Sequence, residues 1–264
     1  MGKQMKNYLT KVYKSRHFWI HLSLADLRAK YRRSVIGIFW SILQPLGLTL
    51  LLAFVMGKLF NSPITDYAPY IFSGLILWEF VVLSGVSGSN AFINAEGYIK
   101  QISHPLSIYS IRSTLSSFIN LLLAFVGFVV WVLVWKPENF GFSWLHLIPA
   151  LVILFGIGLA FGTITAFINT KFRDFQQMLV LVLQAIWYVS PIFFEPKLFH
   201  SVKATYLIEW NPVYHILNLF RAPMLYGVSP TLNDYLFSVA TLIFLSLIAL
   251  WYIKKDEKKI IFYL

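Results

Sequence analysis

Six predominantly apolar runs, at residues 36–59, 68–87, 115–135, 144–168, 178–194 and 235–253, dominate the sequence. A helix that crosses a bilayer needs about 20 such residues. Inside hydrocarbon every backbone N–H and C=O has to find a partner within the protein. The runs therefore predict an all-α polytopic membrane protein with six spans. The fifth run is the shortest and ends at Ser190-Pro191, where a helix either stops or continues with a kink. Composition agrees: 58% of the chain is hydrophobic and 12% charged, against roughly 25% charged in a soluble domain.

The formal net charge of +11 raises nucleic acid as a partner, and the placement of the charges argues against it. With six spans, residues 1–35, 88–114, 169–177 and 254–264 share one side of the membrane. They hold 17 of the 22 Lys and Arg residues. Basic residues mark the cytoplasmic side, so both termini are expected there. Arg28, Lys30, Arg32 and Arg33 then stand at the cytoplasmic mouth of the first span, beside anionic headgroups. A nucleic-acid surface would not alternate with six apolar spans. The opening residues lack the apolar core of a signal peptide, so insertion is expected to rely on the spans themselves. The chain has no cysteine, which excludes disulfides, thiol nucleophiles and thiolate metal sites.

Two segments outside the spans carry helical patterning. In 17–33, Ile20, Leu24, Leu27 and Tyr31 fall on one face and Asp26 is placed to pair with Lys30. This predicts an amphipathic helix lying in the interface and anchored by Phe18 and Trp19, or else a plain topology anchor. The external stretch 195–234 is long for a loop and too apolar to be solvated. Asn211-Pro212 reads as an N-cap followed by proline in the first turn. Val213, Ile216, Leu217 and Phe220 continue as one stripe, which Pro223 is expected to end. Together with the apolar stretch 198–208, this predicts a re-entrant helical pair over 196–222.

Catalytic signatures are missing. Gly57-Lys58 runs into Leu59 without the upstream glycine of a phosphate loop, and no HExxH occurs. His17, His21, His104, His146, His200 and His215 are scattered and read as interfacial residues, with no metal site expected. Glu79 is the one acid near the middle of a span, where a charge costs at least about 2.5 kcal/mol. It is either a pore-lining or coupling group, or a protonated carboxyl bonded to Gln44 or Asn120. Gly158, Gly162 and Ala166 form a small-residue ridge for close helix packing. The loops 89–107 and 169–178 mix apolar and charged residues at short helical spacing. Tyr98 and Ile99, flanked by Glu96 and Lys100, have the character of a docking element for a cytoplasmic partner, or of an ordinary interfacial turn.

These motifs occur in a recognisable order. KYRRSVIGIFWSILQP (30–45), ISHPLS (102–107), FRDFQQML (172–179), SPIFF (190–194) and WNPVYHILNLFR (210–221) make the chain resemble the permease subunit of type-2 ABC exporters of polysaccharides, most closely those for O-antigen. Permeases for capsule and teichoic acid are similar. His104 stands where these permeases more often carry an aromatic residue before the proline.

The resemblance implies a homodimer joined to two copies of a cytoplasmic ABC ATPase. ATP and Mg would sit on that partner, and no cofactor on this chain. The cargo would be a polysaccharide on polyprenyl pyrophosphate, handled among membrane lipids. It further implies that 89–107, with Glu96, Tyr98, Ile99 and Lys100, is the coupling element. Arg173 and Asp174 would lie in a second cytoplasmic loop. Trp210, Asn211, Pro212, Tyr214 and Arg221 would belong to the external gate. Arg28, Arg32 and Arg33 would meet the cargo headgroup, since arginine binds phosphate through two parallel bonds; the competing reading of this cluster is a topology signal alone. A type-2 exporter of another cargo such as a drug or lipid, and a channel or membrane-embedded enzyme, are the alternative functions.

Overall fold

The computed structural model describes residues 2–60, 63–102, 104–197 and 205–264. Among these the chain is helical throughout its regular structure, without strands. Eleven α-helices follow in order: α1 (Gly2–Lys14), α2 (Arg16–Tyr31), α3 (Trp40–Phe60), α4 (Ile64–Ser89), α5 (Glu96–Gln101), α6 (Ser107–Trp135), α7 (Leu147–Lys171), α8 (Phe175–Val189), α9 (Tyr206–Glu209), α10 (Pro212–Tyr226) and α11 (Leu232–Asp256).

Five of these segments are long and apolar enough to cross a bilayer, those containing α3, α4, α6, α7 and α11. The fifth apolar run forms the shorter helix α8, of 15 residues. At 1.5 Å per residue α8 is about 22 Å long, short of the roughly 30 Å hydrocarbon core. It does not kink through Pro191. It stops at Val189, and Ser190 adopts an extended conformation (φ −92°, ψ 146°), as the residue before a proline prefers.

The central helix is α4, buried almost continuously from Tyr67 to Phe80. Its main partner is α7, and the small-residue ridge sets how near the two lie. A Cβ added to Gly162 would meet the Ser84 carbonyl at 2.7 Å, and one on Gly88 would meet the Gly162 Cα at 2.7 Å. Polar bonds cross the same seam: Thr165 Oγ1 donates to the Gly85 carbonyl at 3.0 Å and Asn169 Nδ2 to the Ser89 carbonyl at 3.1 Å. With lipid as the competing environment, close packing and interhelical hydrogen bonds replace the hydrophobic effect as the cohesive forces.

Helix α6 begins at Ser107, eight residues before the apolar run that marks it. The extension is held by an ion pair: Arg112 Nε and Nη2 donate to the two Asp26 carboxylate oxygens at 2.7 and 2.6 Å. Asp26 thus pairs across to α6 and not with Lys30 along its own helix. The bidentate fork outweighs an i,i+4 ammonium contact. The packed face of α2 is correspondingly shifted. Ser23 and Leu27 are buried, while Ile20 and Leu24 face outward. Ser23 Oγ donates to the Arg112 carbonyl at 3.0 Å.

Helix α1, with no apolar run to announce it, is fastened at Tyr8. Its hydroxyl donates to Glu257 Oε1 and bonds Ser107 Oγ, both at 2.8 Å. Burial, the main cause, pushes this hydroxyl above the usual tyrosine range. Glu257 also accepts from the Leu106 N–H at 3.0 Å, so the N-terminal helix, the start of α6 and the C-terminal tail converge at one end of the bundle.

Candidate functional site

At the end of the bundle that gathers the termini, the loop after α4 folds into the short helix α5. Phe92 and Ala95 are buried beneath it, and Ile99 packs against the same cluster. Tyr98 points outward, as does Ile102, which follows α5. Glu96 and Lys100 form an exposed i,i+4 pair at 2.6 Å. The hydrogen bond from Lys100 is the leading cause that holds the Glu96 carboxyl below its ordinary range. Of the two apolar residues proposed for docking, Tyr98 is on the surface and Ile99 fastens α5 to the bundle. Phe18 serves this platform from α2. Its ring lies 6.0 Å from Tyr98, edge-on, and 5.3 Å from His104. Phe18 is therefore a packing residue of this platform, its ring against those of Tyr98 and His104. In the second loop Arg173 and Asp174 are both exposed, with Arg173 Nη2 reaching the Tyr263 carbonyl at 3.5 Å.

The cationic cluster stands at the junction of α2 and α3. Arg28, Lys30, Arg32 and Arg33 are all exposed, and none of them is in an ion pair among the described residues. Arg33 is the one non-glycine residue among those described with positive φ, at 71°. L-residues other than Gly, Asn and Asp enter this region reluctantly. The conformation turns the chain between α2 and the segment leading into α3. Glu79 sits in α4, partly buried. Among the described residues it is in no hydrogen bond or ion pair. The suggested Asn120 partner is engaged elsewhere: its Oδ1 accepts from Tyr31 at 2.6 Å and from Ser41 at 2.8 Å.

The opposite end is built around residues 190–194, which follow the last helical bond of α8, from the Ser190 N–H to the Ile186 carbonyl at 2.9 Å. Four successive carbonyls here accept from side chains. Arg221 Nη1 donates to Pro191 at 2.6 Å and Nη2 to Ile192 at 2.7 Å. Tyr67 donates to Phe193 at 2.6 Å, and Tyr70 lies at 2.9 Å from both Pro191 and Phe194. Arg221 completes its set with Ser73 Oγ at 3.0 Å and the Tyr70 carbonyl at 3.1 Å. It is 1% exposed, so this gate candidate is an interior strut and not a surface residue. Non-helical backbone at membrane depth needs such internal partners.

Asn211 does cap α10, its Oδ1 accepting from the Val213 N–H at 2.9 Å, and its Nδ2 donates to Ser190 Oγ at 3.0 Å. Pro212 occupies the first turn. Helix α10 passes through Pro223 and ends at Tyr226, where Gly227 takes a left-handed conformation (φ 65°). Trp210 is exposed, edge-on to Phe237 at 6.0 Å, and Tyr214 is partly buried with its ring 5.1 Å from His215. His215 is not interfacial. It is buried, 2.8 Å from Asp234 Oδ1 and stacked 4.2 Å from the Phe237 ring. Residues 198–204, part of the proposed re-entrant pair, and with them His200 lie outside the described residues.

The described residues thus form a helical bundle with five segments long and apolar enough to cross a membrane and a small structured platform at one end. The sequence matches the family model described as "ABC-2 type transporter" over residues 18–225, and the chain belongs to that family. It is accordingly a transporter membrane subunit of the bacterial inner membrane and not an enzyme. It is 25% identical over 208 residues to the O-antigen export system permease protein RfbA of Klebsiella pneumoniae, covering 77% of this chain and 78% of that one. It is 24% identical over 217 residues to the polysialic acid transport protein KpsM of Escherichia coli, covering 78% and 80%. A Myxococcus xanthus O-antigen export permease is 21% identical over 83% of this chain and 84% of its own length.

Proposed function

We propose that the chain is the membrane subunit of an exporter that moves a lipid-linked, O-antigen-like polysaccharide across the cytoplasmic membrane. The observation that carries this reading is the likeness, across more than three quarters of the chain, to permeases named for O-antigen export and polysialic acid transport. Two permease copies act with two copies of a separate ATPase, which holds ATP and Mg; this chain binds no cofactor. The uncovered faces of α3 and α8 leave room for the second copy, since α8 meets the described bundle along one side, through Phe175, Gln176, Leu179, Leu183 and Trp187.

In this arrangement α8 with residues 190–194 completes a sixth span, and both termini are cytoplasmic. The α5 platform receives the ATPase, with Tyr98 as the contact, Ile99 as its internal support and Arg173–Asp174 alongside. Arg28, Arg32 and Arg33 draw the anionic headgroup to the entrance, where the unpaired guanidinium groups are available for phosphate. The α9–α10 pair forms the external gate, with Trp210 and Tyr214 as surfaces on which a sugar face can stack, and with Asn211, Pro212 and Arg221 fixing its backbone. Glu79 faces the translocation route.

Deletion of the chain tests the reading. Lipid-linked polysaccharide accumulates in the cytoplasmic leaflet and disappears from the cell surface. An unchanged surface polysaccharide with no such accumulation sinks it. Chemical analysis of the accumulated glycolipid separates an O-antigen from a capsule-type polymer.

A further inference from the structure

A cavity of about 280 Å³ opens between α2, the last turns of α4 and the first half of α6. It has a charge character unlike the surrounding helix faces. Lys30 and Arg112 both line it. Arg112 commits Nε and Nη2 to Asp26 and retains Nη1. Asn120 has its carbonyl oxygen occupied by the Tyr31 and Ser41 hydroxyls, which leaves its amide NH₂ group as the functional end. Ser113 and Ser116 add hydroxyls from α6. Tyr109 forms part of the wall, and its buried hydroxyl has no partner among the described residues. Besides the paired Asp26, the charged groups on the wall are cations, and the other polar groups are hydroxyls and amides. Two carboxylates bear on the cavity: Asp26, neutralised by the bidentate arginine, and Glu79, one helical turn along α4 from the lining residue Leu83. The wall therefore offers two cations and a set of neutral donors against one paired carboxylate, with Glu79 to one side.

We propose that this cavity seats a phosphate group carried by a lipid, with Lys30 and Arg112 supplying the charge and Asn120, Ser113 and Ser116 the hydrogen bonds. Charge-assisted donors from α2 and α6, joined by neutral donors of α6, recognise phosphate oxygens in this way. The cavity is separate from the exposed arginines at 28, 32 and 33; it lies between helices, with the exposed Lys30 on its wall. Only the source of the phosphate rests on the exporter reading: a polyprenyl pyrophosphate cargo or a membrane phospholipid presents the same chemistry.

The test uses the full chain with its ATPase in dodecyl maltoside micelles, which contribute no phosphate, and titrates farnesyl pyrophosphate by calorimetry. The wild type binds. Lys30→Gln and Asn120→Asp each weaken binding by about tenfold or more, while Lys30→Arg stays close to wild type. The Asp variant retains the oxygen that accepts from Tyr31 and Ser41, so a folded protein with lost affinity is the expected result. Displacement by phosphatidylglycerol identifies a phospholipid seat, and displacement by inorganic pyrophosphate alone identifies a pyrophosphate-bearing lipid; both support the proposal. Both variants binding like the wild type, or no binding by the wild type, overturns it. Because binding is read without ATP, intact binding in a complex that fails to export counts against the exporter reading and not against this site.

Discussion

The guanidinium carbon of Arg221 lies 3.7 Å from the centroid of the Tyr70 ring, while Arg221 Nη2 donates to the Tyr70 backbone carbonyl at 3.1 Å. A buried cation is expensive unless the protein replaces its hydration. Here a ring face and four oxygens do so, without a carboxylate. The same contacts fasten residues 190–194, so the arginine and the broken backbone satisfy one another.

Replacing Arg221 by Met leaves the Ile192 carbonyl without its donor, at a cost of about 1–3 kcal/mol. Lysine keeps the charge but not the planar fork, and is expected to recover only part of the loss. Gly74→Ala reaches the same joint from the other side, because a Cβ there collides with the Ile192 carbonyl and stands 2.7 Å from Arg221 Nη2. Thermal unfolding of the purified protein checks all three: each melts below wild type, with Met lower than Lys. A Gly74→Ala protein as stable as wild type contradicts the packing described.

The Asp26–Arg112 fork fixes α2 to α6. Asp26→Asn and Arg112→Gln should each loosen α2, read as faster proteolysis within residues 14–36. The pair is partly solvent-exposed, so the coupling expected from a double-mutant cycle is modest, about 1 kcal/mol or less. Additive effects in the cycle would show that the two side chains do not act together.

Tyr98 and Ile99 are neighbours in sequence with opposite duties. Tyr98→Asp should leave the fold and melting temperature near wild type and abolish co-purification with the ATPase. Ile99→Asp places a carboxylate in the cluster around Phe92 and Phe167, and should lower stability as well as partner binding. Equal behaviour of the two variants in the melting experiment argues against the inward placement of Ile99.

The lack of native cysteine makes accessibility simple to read. Trp210→Cys should react from outside intact cells with an impermeant maleimide, and Tyr98→Cys only after the cells are opened. Leu217→Cys should react slowly from either side, since Leu217 is buried in α10. External labelling at position 98 reverses the proposed orientation.

Much of the framework was legible because a bilayer forces long apolar runs, and a run is visible without knowing its neighbours. The Asn211-Pro212 cap and the Gly158–Gly162 ridge were equally local, each written in adjacent or regularly spaced residues. What escaped depends on partners far apart in the chain. Arg112 finds Asp26 from 86 residues away, and Arg221 finds Tyr70 from 151. The residues next to Arg221 do not name its partners, all of which lie on other segments. His215 was misplaced for the same reason, its partner Asp234 lying on the next helix. Pro223 predicts the end of α10, but the helix runs on to Tyr226, and Asn139 Nδ2 donates to the Met224 and Leu225 carbonyls in that last turn. The one available signal for the buried arginine was its isolation: a single cation in a stretch of apolar helix needs a partner.

The central claim concerns cargo and direction, and reconstitution measures both. Permease and ATPase are placed in proteoliposomes with the nucleotide sites outward, and a lipid-linked polysaccharide is incorporated in the outer leaflet. A glycosidase added outside digests whatever remains there. The account predicts that ATP converts a growing fraction of polymer to a protected form, and that a hydrolysis-deficient ATPase, or Tyr98→Asp in the permease, leaves all of it digestible. Polymer that stays fully digestible with ATP in the wild-type complex, although the ATPase is active and bound, would contradict it.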